Sequence, residues 1–166
     1  RSCSARWRAA DVKVHTYEKA FLVIGALTLI ACMIALAYGS LHLGMHLPTR
    51  AGTLDPEKVA TTPPFDAPGV RQVGPNAWEA VIVGRIWSFQ PAIIEVPAGA
   101  EITFTATTPD VIHGFYIEGT RVNLMLIPGQ ITRTRYRFQK AGEYALLCHE
   151  YCGVGHHTMQ AKVVVK

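Results

Sequence analysis

Between Ala20 and Leu41 the chain runs for 22 residues without a charge: AFLVIGALTLIACMIALAYGSL. At about 1.5 Å per residue, roughly 20 apolar residues cross the hydrocarbon core of a bilayer. Two other fates compete. A buried core helix is one, although globular helices seldom run this long uncharged. A secretory signal with Ala35-Leu36-Ala37 as cleavage motif is the other. We read one membrane anchor over residues 20–43, behind an N-terminal segment of residues 1–19. Arg1, Arg6, Arg8, Lys13 and Lys19 crowd one flank, against Arg50 and Lys58 on the other. The positive-inside rule puts the N-terminus in the cytoplasm and the bulk of the chain outside. Glu18 then sits at the inner edge, where a solvated flank charge is the plain reading. His42 and His46, near the outer end, read as interfacial polar groups or as residues facing a partner protein. The chain begins at Arg1 rather than methionine, so a start further upstream is expected.

The remaining composition excludes several classes. With 49% hydrophobic and 17% charged residues, the chain is not expected to be disordered. Four cysteines are too few for a disulfide-dense mini-domain. The net charge of +4 comes without a basic stripe, so no nucleic-acid partner is expected. Phosphate-binding glycine loops and H-E-x-x-H are absent.

Residues 44–76 hold six of the ten prolines: Pro48, Pro56, Pro63, Pro64, Pro68 and Pro75. Such spacing prevents a regular helix or a central strand. We expect a linker there, either an extended tether or a segment draped on another subunit. From residue 77 to 166 the pattern is one of strands. VIVGRIW, IIEV, EITFTATT, VIHGFYI, VNLMLI, ITRTRYRF, EYALLC and MQAKVVV are rich in Val, Ile, Thr and aromatics. Turns such as Pro97-Ala98-Gly99 and Pro128-Gly129 separate them. Thr132, Thr134 and Tyr136 alternate with arginines, as in a half-exposed strand. The expected fold is an all-β Greek-key sandwich or barrel behind one transmembrane helix.

The chemistry concentrates in Cys148-His-Glu-Tyr-Cys152-Gly-Val-Gly-His156-His-Thr-Met159, on the loop between the last two expected strands. Two thiols, an imidazole and a thioether fall within twelve residues. Soft ligands of this kind favour copper. Two thiolates at i and i+4 can bridge two copper ions, and a binuclear centre then needs a further ligand. His113, in Asp110-Val-Ile-His-Gly-Phe115, is the candidate on an earlier strand. Gly153 and Gly155 let the loop adopt positive φ. Three plainer readings stand beside this one. Cys148 and Cys152 could form a disulfide, or join two histidines around zinc, which leaves Met159 unexplained. His113 alone would be an ordinary hydrogen-bonded histidine. Cys3 and Cys32 lie apart from the motif and read as structural or incidental. Trp87, on a strand, reads as a core aromatic.

The loop resembles the CuA segment, C-x-E-x-C-x-x-x-H-x-x-M, of subunit II of haem–copper oxidases. The preceding Asp110-Val-Ile-His113 element also matches, and the likeness covers nearly the whole chain as anchor, linker and cupredoxin domain. A single anchor on a short chain is most similar to the B-type oxidases. Thr16-Tyr-Glu-Lys19, Gln90-Pro91 and Glu95-Val-Pro97 match that group as well.

The resemblance implies roles at matching positions. Cys148 and Cys152 bridge two coppers, and His113 and His156 each cap one. Met159 and the Glu150 carbonyl are weak ligands. The Glu150 carboxylate is either a magnesium ligand at the junction with subunit I or a solvated group. Trp87 becomes the point of electron uptake, and Glu18 the mouth of a proton path. The implied partners are a haem-bearing subunit I, a c-type cytochrome, the lipid membrane and a small additional subunit. From Arg71 onward nine basic residues face seven acidic ones, so docking with a large apolar component is expected. The implied function is electron uptake for oxygen reduction coupled to proton pumping. The alternatives are a nitric-oxide reductase carrying the same copper subunit, a tethered mononuclear cupredoxin, and a copper chaperone. One ligand cysteine suits the second. Chaperones with C-x-x-x-C place their histidine far downstream, unlike His156.

Overall fold

In a computed structural model of the chain, residues 15–42 and 49–166 are described. Cys3, His46 and most of the basic flank lie outside the described residues. The chain divides into two units, residues 1–47 and 48–166.

Helix α1 spans Thr16–His42, 27 residues and about 40 Å. Its first bond runs from the Lys19 amide to the His15 carbonyl at 3.0 Å. The Glu18 carboxylate reaches back and accepts the His15 amide at 3.3 Å, the return half of a capping box. Phe21, Leu22, Ile30, Met33 and Leu36 are all exposed. A helix this apolar and this exposed has the surface of a segment solvated by lipid. Thr28 donates its hydroxyl to the Ile24 carbonyl at 2.9 Å, so that polar group is satisfied within the helix.

The second unit is a two-sheet β sandwich. Its strands are β1 (Thr49–Thr53), β2 (Gly69–Gly74), β3 (Ala77–Arg85), β4 (Ser88–Gln90), β5 (Ile93–Val96) and β6 (Glu101–Thr107). They continue as β7 (His113–Ile117), β8 (Asn123–Leu126), β9 (Gln130–Tyr136), β10 (Gly142–Leu147) and β11 (Gln160–Val165). One sheet has the order β1-β9-β6-β3-β2, with β4 added to β3; the other has β5-β11-β10-β7-β8. The chain crosses repeatedly between sheets, as in a Greek-key sandwich. Phe115 sits centrally, edge-on to Phe89 at 5.8 Å and tilted on Phe104 at 5.9 Å. These rings join Ile82, Ile94, Leu126 and Leu146 in the core between the sheets.

Residues 49–74, expected as part of a linker, belong to the sandwich. β1 and β2 close the two edges of the first sheet, and Pro56, Pro63, Pro64, Pro68 and Pro75 fall outside both strands, so they interrupt no ladder. Between them Asp55 caps a short 3-10 turn, Pro56–Thr61, accepting the Glu57 amide at 3.1 Å. Val59 and Phe65 pack on Val81 and Val83, the face of β3 turned away from the main core. Strand β3 is therefore buried on both faces, which explains its unbroken apolar run. Beside this patch, Glu79 joins four strands. It accepts from Arg71 Nε at 3.0 Å and Thr105 Oγ1 at 2.8 Å, with Arg133 at 3.7 Å. Burial alone would raise the Glu79 carboxyl; hydrogen bonds from Arg71 and Thr105 and both guanidinium charges override it and hold it low.

Phe65→Ala is expected to destabilise the domain by about 3–4 kcal/mol, as for other buried aromatics. Chemical denaturation of the purified protein measures it. A change under about 0.5 kcal/mol, normal for a surface site, would return this stretch to a linker.

Candidate metal centre

Strands β10 and β11 are antiparallel neighbours with Leu147 opposite Gln160. The twelve residues between them form a closed loop. The Cys148 amide donates to the Met159 carbonyl at 3.2 Å and locks its ends. Inside, the His156 amide donates to Gly153 at 3.0 Å and Met159 to His156 at 3.1 Å, forming a tight 3-10 turn. The loop thereby turns four soft side chains inward.

Cys148 and Cys152 are buried free thiols, so the disulfide reading is not the arrangement found. Their sulfurs lie 3.7 Å apart. Cys152 Sγ is 3.6 Å from His156 Nδ1 and 3.8 Å from Met159 Sδ. Cys148 Sγ faces the Glu150 carbonyl at 3.3 Å. From the other strand pair comes His113, fully buried, with its ligating atom and both sulfurs all within 4.8 Å of one another. Burial and the adjacent Cys148 thiol push the Cys152 thiol up to about 11. Without a metal it is therefore protonated at neutral pH, and a bound cation has to displace that proton.

One atom tests whether a metal fits. His113 Nδ1 is buried and has no hydrogen-bond partner. An unsatisfied buried polar atom costs about 1–3 kcal/mol. Nε2 on the same ring is held 2.9 Å from Asp110 Oδ1, which makes it the donor and leaves Nδ1 a bare lone pair beside two thiols. A soft cation at that point satisfies it. Met159 adds a thioether, which favours copper over zinc.

Asp110 was not singled out as a site residue from the sequence, although D-x-x-H places it one turn from the ligand. Its carboxylate also accepts the Val111 amide at 2.7 Å and the Ile86 amide at 2.8 Å. Burial would raise this carboxyl; the bonds from His113, Val111, Ile86 and Thr108 prevail and hold it low. It stays a carboxylate that orients the imidazole.

Glycines make room for the rings around the site. A Cβ on Gly84 would meet Leu126 at 2.9 Å and the His113 ring at 3.4 Å. Trp87 lies against the loop and donates Nε1–H to the Cys152 carbonyl at 3.0 Å. A Cβ on Gly155 would fall 2.4 Å from its indole. Gly153 has the expected positive φ, +116°. Gly155 does not: its φ is −90°, and glycine is needed there for space. Trp87 is 37% exposed, so it is a surface residue tied to the loop rather than a core aromatic. Glu150 is half-buried, and Glu18 belongs to the helix start described above.

A buried pocket of soft ligands on the last loop of a two-sheet sandwich, in a chain with one lipid-compatible helix among the described residues, defines a membrane-anchored copper-binding cupredoxin. The comparisons agree. The family "Cytochrome C oxidase subunit II, periplasmic domain" matches residues 85–166. A cytochrome c oxidase subunit 2 of Thermus thermophilus is 39% identical over 161 residues, covering 95% of this chain and 96% of that one. A second Thermus thermophilus subunit 2 is 44% identical over 115 residues, 68% of this chain and 85% of the relative. A chain of a haem–copper terminal oxidase dimer solved by cryo-electron microscopy superposes with a TM-score of 0.75 at 33% identity. That match covers 90% of this chain and 99% of the other. The chain belongs to the cytochrome c oxidase subunit II family, and so to an oxidoreductase complex.

Gly155→Ala is expected to cost about 1–3 kcal/mol, because the rigid indole has to move. Trp87→Ala in the same chain should recover part of that loss. Additive losses in a double-mutant cycle of thermal unfolding would show that the two do not clash.

Proposed function

We propose that this chain is the electron-accepting subunit of a B-type terminal oxidase, taking electrons from a c-type cytochrome and passing them to haem in subunit I. The observation that carries this reading is the unpartnered His113 Nδ1 beside two thiols 3.7 Å apart. In this reading Cys148, Cys152, His113 and His156 would hold two coppers, with Met159 and the Glu150 carbonyl as further, weaker ligands. Such a pair supplies a one-electron centre whose charge change is shared over two ions. The protein's part is rigidity. Asp110 fixes the His113 ring, the Cys148–Met159 bond fixes the loop, and burial excludes water. The half-buried Glu150 is the residue this reading gives to magnesium at the junction with subunit I.

Trp87 is the point of electron uptake, because its ring joins the surface to the Cys152 carbonyl. Around it Ile86, Val111, Ile112, Tyr151 and Val154 expose apolar surface on neighbouring loops. That surface suits a donor bound by apolar contact, with a weak salt dependence. In the membrane the N-terminus is cytoplasmic and the copper domain lies outside; the basic N-terminal flank supports this orientation.

Oxygen uptake by the purified complex, driven by reduced cytochrome c across a salt series, is the first test. Uptake that falls less than about tenfold between 50 and 200 mM salt is expected, far below the loss of a charge-steered pair. Nitric oxide consumed in place of oxygen would move the complex to the reductase branch. The paramagnetic resonance spectrum should show one electron shared by two copper nuclei, and Cys152→Ser should abolish that pattern. A one-copper spectrum in the native protein rejects the binuclear centre.

Glu18 is the proton-uptake residue in this reading. Glu18→Gln keeps an acceptor for the His15 amide and removes the titratable group. Turnover should slow by about a hundredfold, as for other lost acid–base groups, with the copper spectrum intact. Unchanged turnover assigns Glu18 to the helix cap alone.

A further inference from the structure

We propose that His149 is a positioning residue for the metal loop, holding the Cys148–Glu150 backbone against β7 and β8 without ligating metal itself. The inference rests on the copper reading above.

Strand β10 pairs with β7 through Leu147 and Tyr116, so the chain leaves the ladder directly beside Tyr116. Gly114 and Tyr116 lie on one face of β7, two residues apart. Asn123 on β8 stands opposite Tyr116. His149 folds back over this face. A Cβ on Gly114 would lie 1.9 Å from His149 Nδ1 and 2.7 Å from the Glu150 amide nitrogen. Any side chain at position 114 would therefore expel both the ring and the backbone that follows it. The ring stacks on Tyr116, with centroids 5.7 Å apart and planes at 12°. Its Nε2 donates to Asn123 Oδ1 at 2.7 Å.

His149 is exposed on its outer side, and these contacts hold its inner side. Nε2 is engaged by Asn123, and Nδ1 lies over the Gly114 backbone. His149 is thus unlike His113, which is buried close to both thiols and whose Nδ1 has no partner. It sits between Cys148, whose sulfur faces the site, and Glu150, whose carbonyl is 3.3 Å from that sulfur. Fixing the ring fixes the two peptide units that aim both groups. Outer-shell groups of this kind set metal affinity by roughly 10–100-fold.

The test uses the purified complex and reads the rate at which reduced copper passes to a cuprous chelator, together with the copper resonance spectrum. His149→Ala should release copper about tenfold faster or more and alter the hyperfine pattern. Asn123→Ala, which removes only the hydrogen bond, should accelerate release less, and the double variant should be no faster than His149→Ala. If His149→Ala leaves release rate and spectrum unchanged while lowering thermal stability, the residue only packs and the inference is overturned. If the native complex holds no copper, the copper reading falls with it.

Discussion

Two buried thiol sulfurs 3.7 Å apart are the constraint on which the rest depends. Burial and the neighbouring Cys148 thiol favour the neutral form of Cys152. A bound cation offsets that penalty. The loop must still hold them in place when the cation is absent. It does so by backbone means: the Cys148–Met159 bond, the 3-10 turn at His156–Thr158, and two strands in fixed register. The sandwich is thus a frame for one twelve-residue loop and for His113, which reaches the pocket from β7.

Support for that frame is distributed. The Asp110 carboxylate ties the His113 ring to the Ile86 amide, and the next residue, Trp87, bonds the loop itself. His149 ties the loop to Tyr116 and Asn123. Three separate chain segments therefore converge on the ligands through side chains that need not touch metal. Such an arrangement suits a centre that must change charge without moving, because each ligand is restrained by a partner outside the pocket. The glycines at 84, 114 and 155 are the steric counterpart of these restraints, each leaving space for a ring.

Much of the candidate site was legible because Cys148, Cys152, His156 and Met159 lie within twelve residues, so local spacing alone put these side chains on one loop. The eight strand-like runs from Val81 onward correspond to strands because Val, Ile, Thr and aromatics alternate or cluster there. Strands β1, β2 and β4 escaped notice. TRAGT and GVRQVG carry little apolar pattern, and SFQ is three residues long. The first two are edge strands, stabilised by a neighbour's ladder rather than by their own side chains. The proline-rich stretch misled for a related reason. Its prolines bar central strands, but nothing in the sequence says that Val59 and Phe65 cover the back of β3.

By itself, then, the sequence determined the lipid-compatible helix, the β character of the second unit and the set of soft ligands. All three rest on periodicity, hydropathy or spacing, which are local properties of the chain. Only the tertiary structure decided which His113 nitrogen is free, why residue 155 must be glycine, and that His149 turns away from the pocket. The first depends on how the β6–β7 connection aims Asp110 at the ring. The other two depend on contacts between residues far apart in the chain, Trp87 with Gly155 and Gly114 with His149. Contacts at that range are made by sheet pairing and loop closure, and no local pattern encodes them.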